Sequence, residues 1–182
     1  MRKMNPIALE SASEAAKLTM EMVSKKLGRV PNMYQVMANS PAVLEAYVKY
    51  NGALAMGTLG SKMGELIALA TAESNNCSYC LSAHSFFGKK IGLSEEEILE
   101  GRNFISNDVK MNEGLAFAKK MLETPTLISS NDLEPLRKAH FSDGEILEIV
   151  AHVVRNIFTN YINIIAETNV DWPEVVVSLK VK

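Results

Sequence analysis

Glu65-Leu-Ile-Ala-Leu-Ala-Thr-Ala-Glu-Ser-Asn-Asn-Cys77-Ser-Tyr-Cys80-Leu-Ser-Ala-His84 decides how this chain is read. Around its start Met63, Leu66, Ile67 and Ala70 recur at i, i+3, i+4 and i+7, the spacing of one buried helix face, and Glu65 falls on another face. Asn75-Asn76 is a poor helix interior and reads as a short break. A second helix is expected from about Cys77 to about Ile91, with Gly92 as its stop.

Working outward, helix punctuation is frequent and strand signals are scarce. A helix over 19–27 is expected to stop at Gly28 and Pro31, and Ser40-Pro41 opens another that reaches about Leu54. Ser61 reads as the cap of the helix that carries Glu65. Ser94-Glu-Glu-Glu97 and Ser142-Asp-Gly-Glu145 are capping boxes. Between them lies a helix with Leu115, Ala118, Met121 and Leu122 inward, ended by Thr124-Pro125. The helix after the second box runs to about Glu167 and is the most apolar stretch. Ile146, Ile149, Val150, Val153, Ile157, Tyr161, Ile164 and Ile165 read as one stripe, widened by Val154, Phe158 and Ile162. Such a helix is either a central core helix or part of a subunit interface. The expected fold is all-α, a compact helical bundle in one domain over 1–182.

The bulk numbers agree with a self-sufficient core. Of the 182 residues 47% are apolar and 22% charged, and a chain of this length folds without a disulfide staple. The net charge is −2, and Lys and Arg form no stripe, so nucleic acid is not an expected partner. The N-terminal Met1-Arg-Lys-Met-Asn-Pro lacks an apolar core and reads as no secretory signal. No apolar run approaches the roughly 20 residues that span a bilayer, so a membrane is not expected either. The expected compartment is the cytoplasm, where structural disulfides are rare.

That compartment shapes the reading of Cys77 and Cys80, the only cysteines in the chain. Two thiols at this spacing and at a helix start close a disulfide with little backbone movement. The helix N-terminus also stabilises a thiolate. Cys80 and His84 are four apart and share a helix face, so the imidazole can act as a base toward the thiol or hold its thiolate. Glu65 can approach His84 if the break folds the two helices together, and would then orient the ring. A zinc site is the competing reading: Cys77, Cys80 and His84 with His140 or His152 would complete four ligands. His152 reads more simply as a satisfied core or interface histidine, and Asn156, Asn160 and Asn163 as buried hydrogen bonding across an interface. Tyr79 either tunes the site through its hydroxyl or only packs there. Tyr161 is expected to help wall a dry pocket.

The Glu, twelve-residue step, Cys-x-x-Cys, three residues, His pattern resembles the alkylhydroperoxidase D-like members of the carboxymuconolactone decarboxylase superfamily. Leu27-Gly-Arg-Val-Pro-Asn32, Ser40-Pro41, Asn156-Ile-Phe-Thr-Asn160 and Val170-Asp-Trp-Pro173 extend the resemblance over roughly residues 25–175. It implies an all-α fold, assembly into homo-oligomers (trimers or hexamers), and cofactor-free, metal-free peroxidase or disulfide-reductase chemistry. Carried over by position, Cys80 is the thiolate that attacks a hydroperoxide, Cys77 the resolving cysteine, and His84 with Glu65 the proton relay. A dithiol reductant would restore the pair. Alkylhydroperoxidase D has a histidine where this chain has Tyr79, and the lactone-decarboxylating branch lacks the CxxC pair. A disulfide oxidoreductase or redox sensor without peroxidase turnover is the alternative within this chemistry.

Overall fold

The structure is a computed structural model that describes residues 4–178. The N-terminal hexapeptide read for a signal lies partly outside that range. Among the described residues there is no strand; the chain forms α1 Glu14–Leu27, α2 Asn32–Met37, α3 Pro41–Leu54, α4 Ser61–Ser74, α5 Ser78–Lys90, α6 Glu95–Arg102, α7 Val109–Glu123, α8 Leu133–Lys138 and α9 Asp143–Ala166. Three short 3-10 turns supplement them. The all-α bundle expected from the punctuation is what forms.

Local chemistry accounts for most boundaries. Both capping boxes close, with Ser94 and Glu97 at the start of α6 and Ser142 and Glu145 at the start of α9 exchanging side-chain and backbone hydrogen bonds. Ser40 accepts from the Val43 N–H and Pro41 follows as the first residue of α3. Two expectations need correction. Ser61 is the first residue of α4, not its cap; Gly60 holds that place at φ +85°, with no side-chain hydrogen bond. α1 also begins earlier than the expected 19, because Ser13 accepts from the Ala16 N–H and starts the helix at Glu14.

The break at Asn75-Asn76 is a Schellman closure. Asn76 sits at φ +57°, its N–H reaches the Glu73 carbonyl, and the Cys77 N–H reaches the Ala72 carbonyl at 2.9 Å. Asn tolerates that left-handed backbone better than most side chains. The turn reverses the chain, so α5 packs back along α4. Cys77 is at once the residue leaving this closure and the N-cap of α5, its Sγ accepting from the Cys80 N–H at 3.3 Å.

The central helix is α4. Leu66 through Glu73 are all buried, and α5, α6, α7 and α9 pack around them. The long α9 instead has two unlike faces. Ile146, Ile149 and Val153 enter the core, but its C-terminal half buries Asn156, Thr159, Asn160 and Asn163. Val154, Phe158, Tyr161, Ile164 and Ile165 stand exposed. The single apolar stripe read from the sequence is therefore split. The buried side turns polar where it meets the CxxC segment, and the apolar residues are displaced outward. No helix among the described residues is long and apolar enough to cross a membrane.

After α9 the chain runs back over α5 as an extended strap. Glu73, 1% exposed, accepts from Arg102 Nε at 2.8 Å, and the pair holds the strap's end. Arg102 donates to the Val176 carbonyl and Ser178 Oγ, while the Ser178 N–H donates to Glu73. Nearer α9, Asp171 accepts from the Asn32 N–H and supplies α2 with the N-terminal carboxylate that Pro31 cannot.

Candidate functional site

α5 places Cys77, Cys80 and His84 along its first two turns, and α4 presents Glu65 across the Schellman turn. The cysteines are joined as a disulfide with Cα atoms 5.4 Å apart, and each is 2% exposed. They are not equivalent. Cys80 lines a cavity of about 350 Å³ together with Glu65 and His84, whereas Cys77 does not line it. His84 Nδ1 lies 2.8 Å from Glu65 Oε2, both side chains about one-fifth exposed. A carboxylate accepts only, so Nδ1 carries a proton, and in the neutral ring the lone pair falls on Nε2. That is the tautomer a base toward Cys80, one helical turn away, requires.

Sequence reasoning missed several neighbours. Asn163, from the C-terminal half of α9, donates through Nδ2 to Cys80 Sγ at 3.3 Å, a hydrogen bond that favours sulfur as thiolate. The asparagine ladder of α9 thus works within the chain, since Asn160 Oδ1 also accepts from Asn75 Nδ2 at the turn that positions the cysteines. Arg155, 9% exposed, and Tyr34 and Tyr47 line the same cavity. The one signal in the sequence was for Arg155, which with Thr159 falls on the α9 face of Asn163. Tyr161, expected to wall the pocket, is exposed on the opposite side of α9 and takes no part in it.

His152 departs from the reading of a satisfied core histidine. It is buried against α4, where Gly64 makes room; a Cβ at that glycine would stand 2.9 Å from the imidazole. Among the described residues its Nδ1 has no hydrogen-bond partner. Burial first, then the Arg155 charge, holds its pKa down at about 4, so the ring is neutral at ordinary pH. His140, the other zinc candidate, is exposed at the end of α8. Among the described residues no three His, Cys, Asp or Glu side chains are grouped to hold a metal ion.

Tyr79 does more than pack. Its hydroxyl donates to Asp171 Oδ2 at 2.6 Å and accepts from the Met33 N–H at 3.2 Å. Burial, followed by the Asp171 carboxylate, pushes its pKa up, so the proton stays in that bond. The ring meets Trp172 edge-on at 5.4 Å, and Trp172 in turn packs on Phe86 and Phe87 and receives Arg29 over its face. Tyr79 is therefore the clasp by which the strap closes the cavity beside Cys80, with its hydroxyl committed to Asp171 and Met33.

A family model described as the carboxymuconolactone decarboxylase family matches residues 41–118, a segment that contains α3 to α6 and every one of Glu65, Cys77, Cys80 and His84. Over that segment, less than half of the chain, the sequence is similar to the carboxymuconolactone decarboxylase family. The likeness of fold extends further. An alkylhydroperoxidase AhpD core, a peroxidase-related protein from Ralstonia eutropha JMP134, superposes with a TM-score of 0.82 at 24% identity, covering 93% of this chain and 92% of its own. A peroxidase-related protein from Silicibacter sp. TM1040 gives 0.77 at 24% identity, covering 92% and 87%. The debrominase Bmp8, in complex with 2,3,4-tribromopyrrole, gives 0.77 at 17% identity, covering 92% and 91%. No curated protein matches the sequence. At these identities the superpositions carry the all-α fold alone.

Proposed function

We propose that this chain is a cofactor-free thiol peroxidase that reduces organic hydroperoxides through Cys80 and Cys77. One observation carries the reading: of the two sulfurs only Cys80 lines the cavity, and it shares that cavity with a histidine whose Nδ1 is held by a carboxylate. In the reduced form His84 Nε2 takes the Cys80 proton, and Asn163 steadies the thiolate. The sulfur attacks the terminal peroxide oxygen and the O–O bond breaks. Cys80 leaves as the sulfenic acid, and the alkoxide takes the proton back from His84 as an alcohol. Cys77 then attacks the sulfenic sulfur, water departs, and the disulfide seen here is the product. A dithiol donor restores both thiols and is itself oxidised. This cycle suits a reducing compartment such as the cytoplasm.

Steady-state consumption of cumene hydroperoxide with dithiothreitol as donor tests it. Wild type should turn over and Cys80→Ser should not, while reduced Cys77→Ser, mixed with the peroxide after the dithiol is removed, should react once and stall as a sulfenic acid. A wild type without turnover, yet with rapid disulfide exchange, would replace this reading with that of a disulfide oxidoreductase or redox sensor. The Tyr79 position favours that second reading, because the residue held there is bound to the strap and adds no group to the proton relay. Self-association is part of the proposal too. The exposed Val154, Phe158, Tyr161, Ile164 and Ile165 of α9 offer an apolar surface that a second copy of the chain would cover, and sedimentation velocity measures it.

A further inference from the structure

Arg155 is nine-tenths buried, yet among the described residues no carboxylate forms an ion pair with it. Its guanidinium donates to two neutral acceptors, Asn51 Oδ1 at 2.9 Å and Asn156 Oδ1 at 3.5 Å. The other buried guanidinium among the described residues is paired; Arg102, 7% exposed, has Glu73. A buried charge without a counter-ion is costly, and folds keep one where something else completes it. Arg155 lines the cavity of Cys80, and its charge acts on Tyr34, Tyr47 and His152 around it.

Two further buried polar atoms belong to residues of the same cavity and lack partners among the described residues: His152 Nδ1 and Asn163 Oδ1. The one carboxylate on the wall, Glu65, is engaged by His84. Lys26 also lines the cavity. The remainder of the wall is largely apolar and aromatic, from Met33 and Leu54 to Phe87 and Trp172. The cavity wall thus carries the sulfur and its base, a buried cation that no carboxylate among the described residues pairs, and a largely apolar and aromatic remainder.

We infer that the ligand taken beside Cys80 is an organic carboxylate, its apolar or aromatic body against Phe87 and Trp172 and its anionic head on the Arg155 guanidinium. The fork of an arginine matches the two oxygens of a carboxylate, and one cation matches one negative charge. Neutral His152 and the Tyr47 hydroxyl, which burial keeps protonated and which accepts from Tyr34, supply further donors without adding charge. This deepens the peroxidase reading by naming its substrate class, and rests on it only for the word hydroperoxide.

The test separates the two. Titration calorimetry on the oxidised protein with 4-isopropylbenzoate and with its neutral amide needs no turnover and no variant. The benzoate should bind about tenfold tighter or better, the advantage of a charge-assisted pair in a desolvated site. Arg155→Gln should remove that preference, and Arg155→Lys should keep part of it, the lysine showing that the fold survives. Equal binding of the two probes, or none of the benzoate, overturns the carboxylate site. In the second arm a hydroperoxide bearing a ring carboxylate is compared with cumene hydroperoxide by kcat/KM. Benzoate binding without consumption of either peroxide would leave the carboxylate site standing and remove the peroxidase. Equal consumption of both would retain the peroxidase and remove the carboxylate preference.

Discussion

Tyr79→Phe isolates the clasp between the CxxC helix and the C-terminal strap. The lost hydroxyl leaves the Asp171 carboxylate, 8% exposed, with the Asn32 N–H and a distant Arg29, and leaves the buried Met33 N–H without its acceptor. A hydrogen bond to a charged group is worth about 1.5–3 kcal/mol and an orphaned buried donor costs about 1–3 kcal/mol, so with partial relaxation the loss should be about 2–4 kcal/mol. For a chain of this length that lowers Tm by about 5–15 °C. Thermal unfolding of the oxidised protein by circular dichroism measures it, and the decisive version is a double-mutant cycle with Asp171→Asn. Side chains that share a hydrogen bond should couple by about 1–3 kcal/mol. If the two losses simply add, the clasp does not exist. Peroxide turnover read on the same variants then separates the strap's structural role from any effect on the chemistry, because the substituted phenyl ring keeps the edge-on contact with Trp172.

His84→Ala should raise the pH at which reduced Cys80 is alkylated by iodoacetamide, since the base and its positive charge are gone; an unchanged profile would separate the two residues. Arg102→Met takes the guanidinium away from Glu73, which is 1% exposed, and should cost about 3–5 kcal/mol in urea unfolding. Limited proteolysis should then cut the released strap first. His152 is held at about 4 in the folded protein against an ordinary 6.5, so the unfolded chain binds the extra proton between those values. Stability therefore falls as pH drops from 6.5 toward 4, and His152→Gln should flatten that decline in urea midpoints taken at about pH 7.5 and about pH 5.

What the sequence disclosed and what it hid divide along distance in the chain. Capping boxes, the proline at the head of α3 and the Asn75-Asn76 turn are statements about four or six neighbouring residues, and their physics is complete in the sequence. The meeting of Glu65 and His84 was legible for the same reason, because one tight turn links their helices. α2 and α8 escaped because six residues hold less than two turns of periodicity, and each lies among prolines that read as loop. Asn163 on Cys80 is separated from it by 83 residues, and Arg155 from Asn51 by 104, so only packing brings them together. The splitting of the α9 stripe has the same origin. Hydrophobic periodicity marks a face on the premise that burial is apolar, and that premise fails where the buried face borders a polar cavity.

The disulfide spans a sequence separation of only 3. Closing so small a ring restrains the unfolded chain by about 2 kcal/mol, against nearly 5 for a loop of a hundred residues. The bond is therefore a poor staple, and the bundle does not depend on it to hold together. Oxidised and reduced protein should share one scaffold, their melting temperatures only a few degrees apart, so each round of electron transfer is recorded at two sulfur atoms without asking the helices around them to refold.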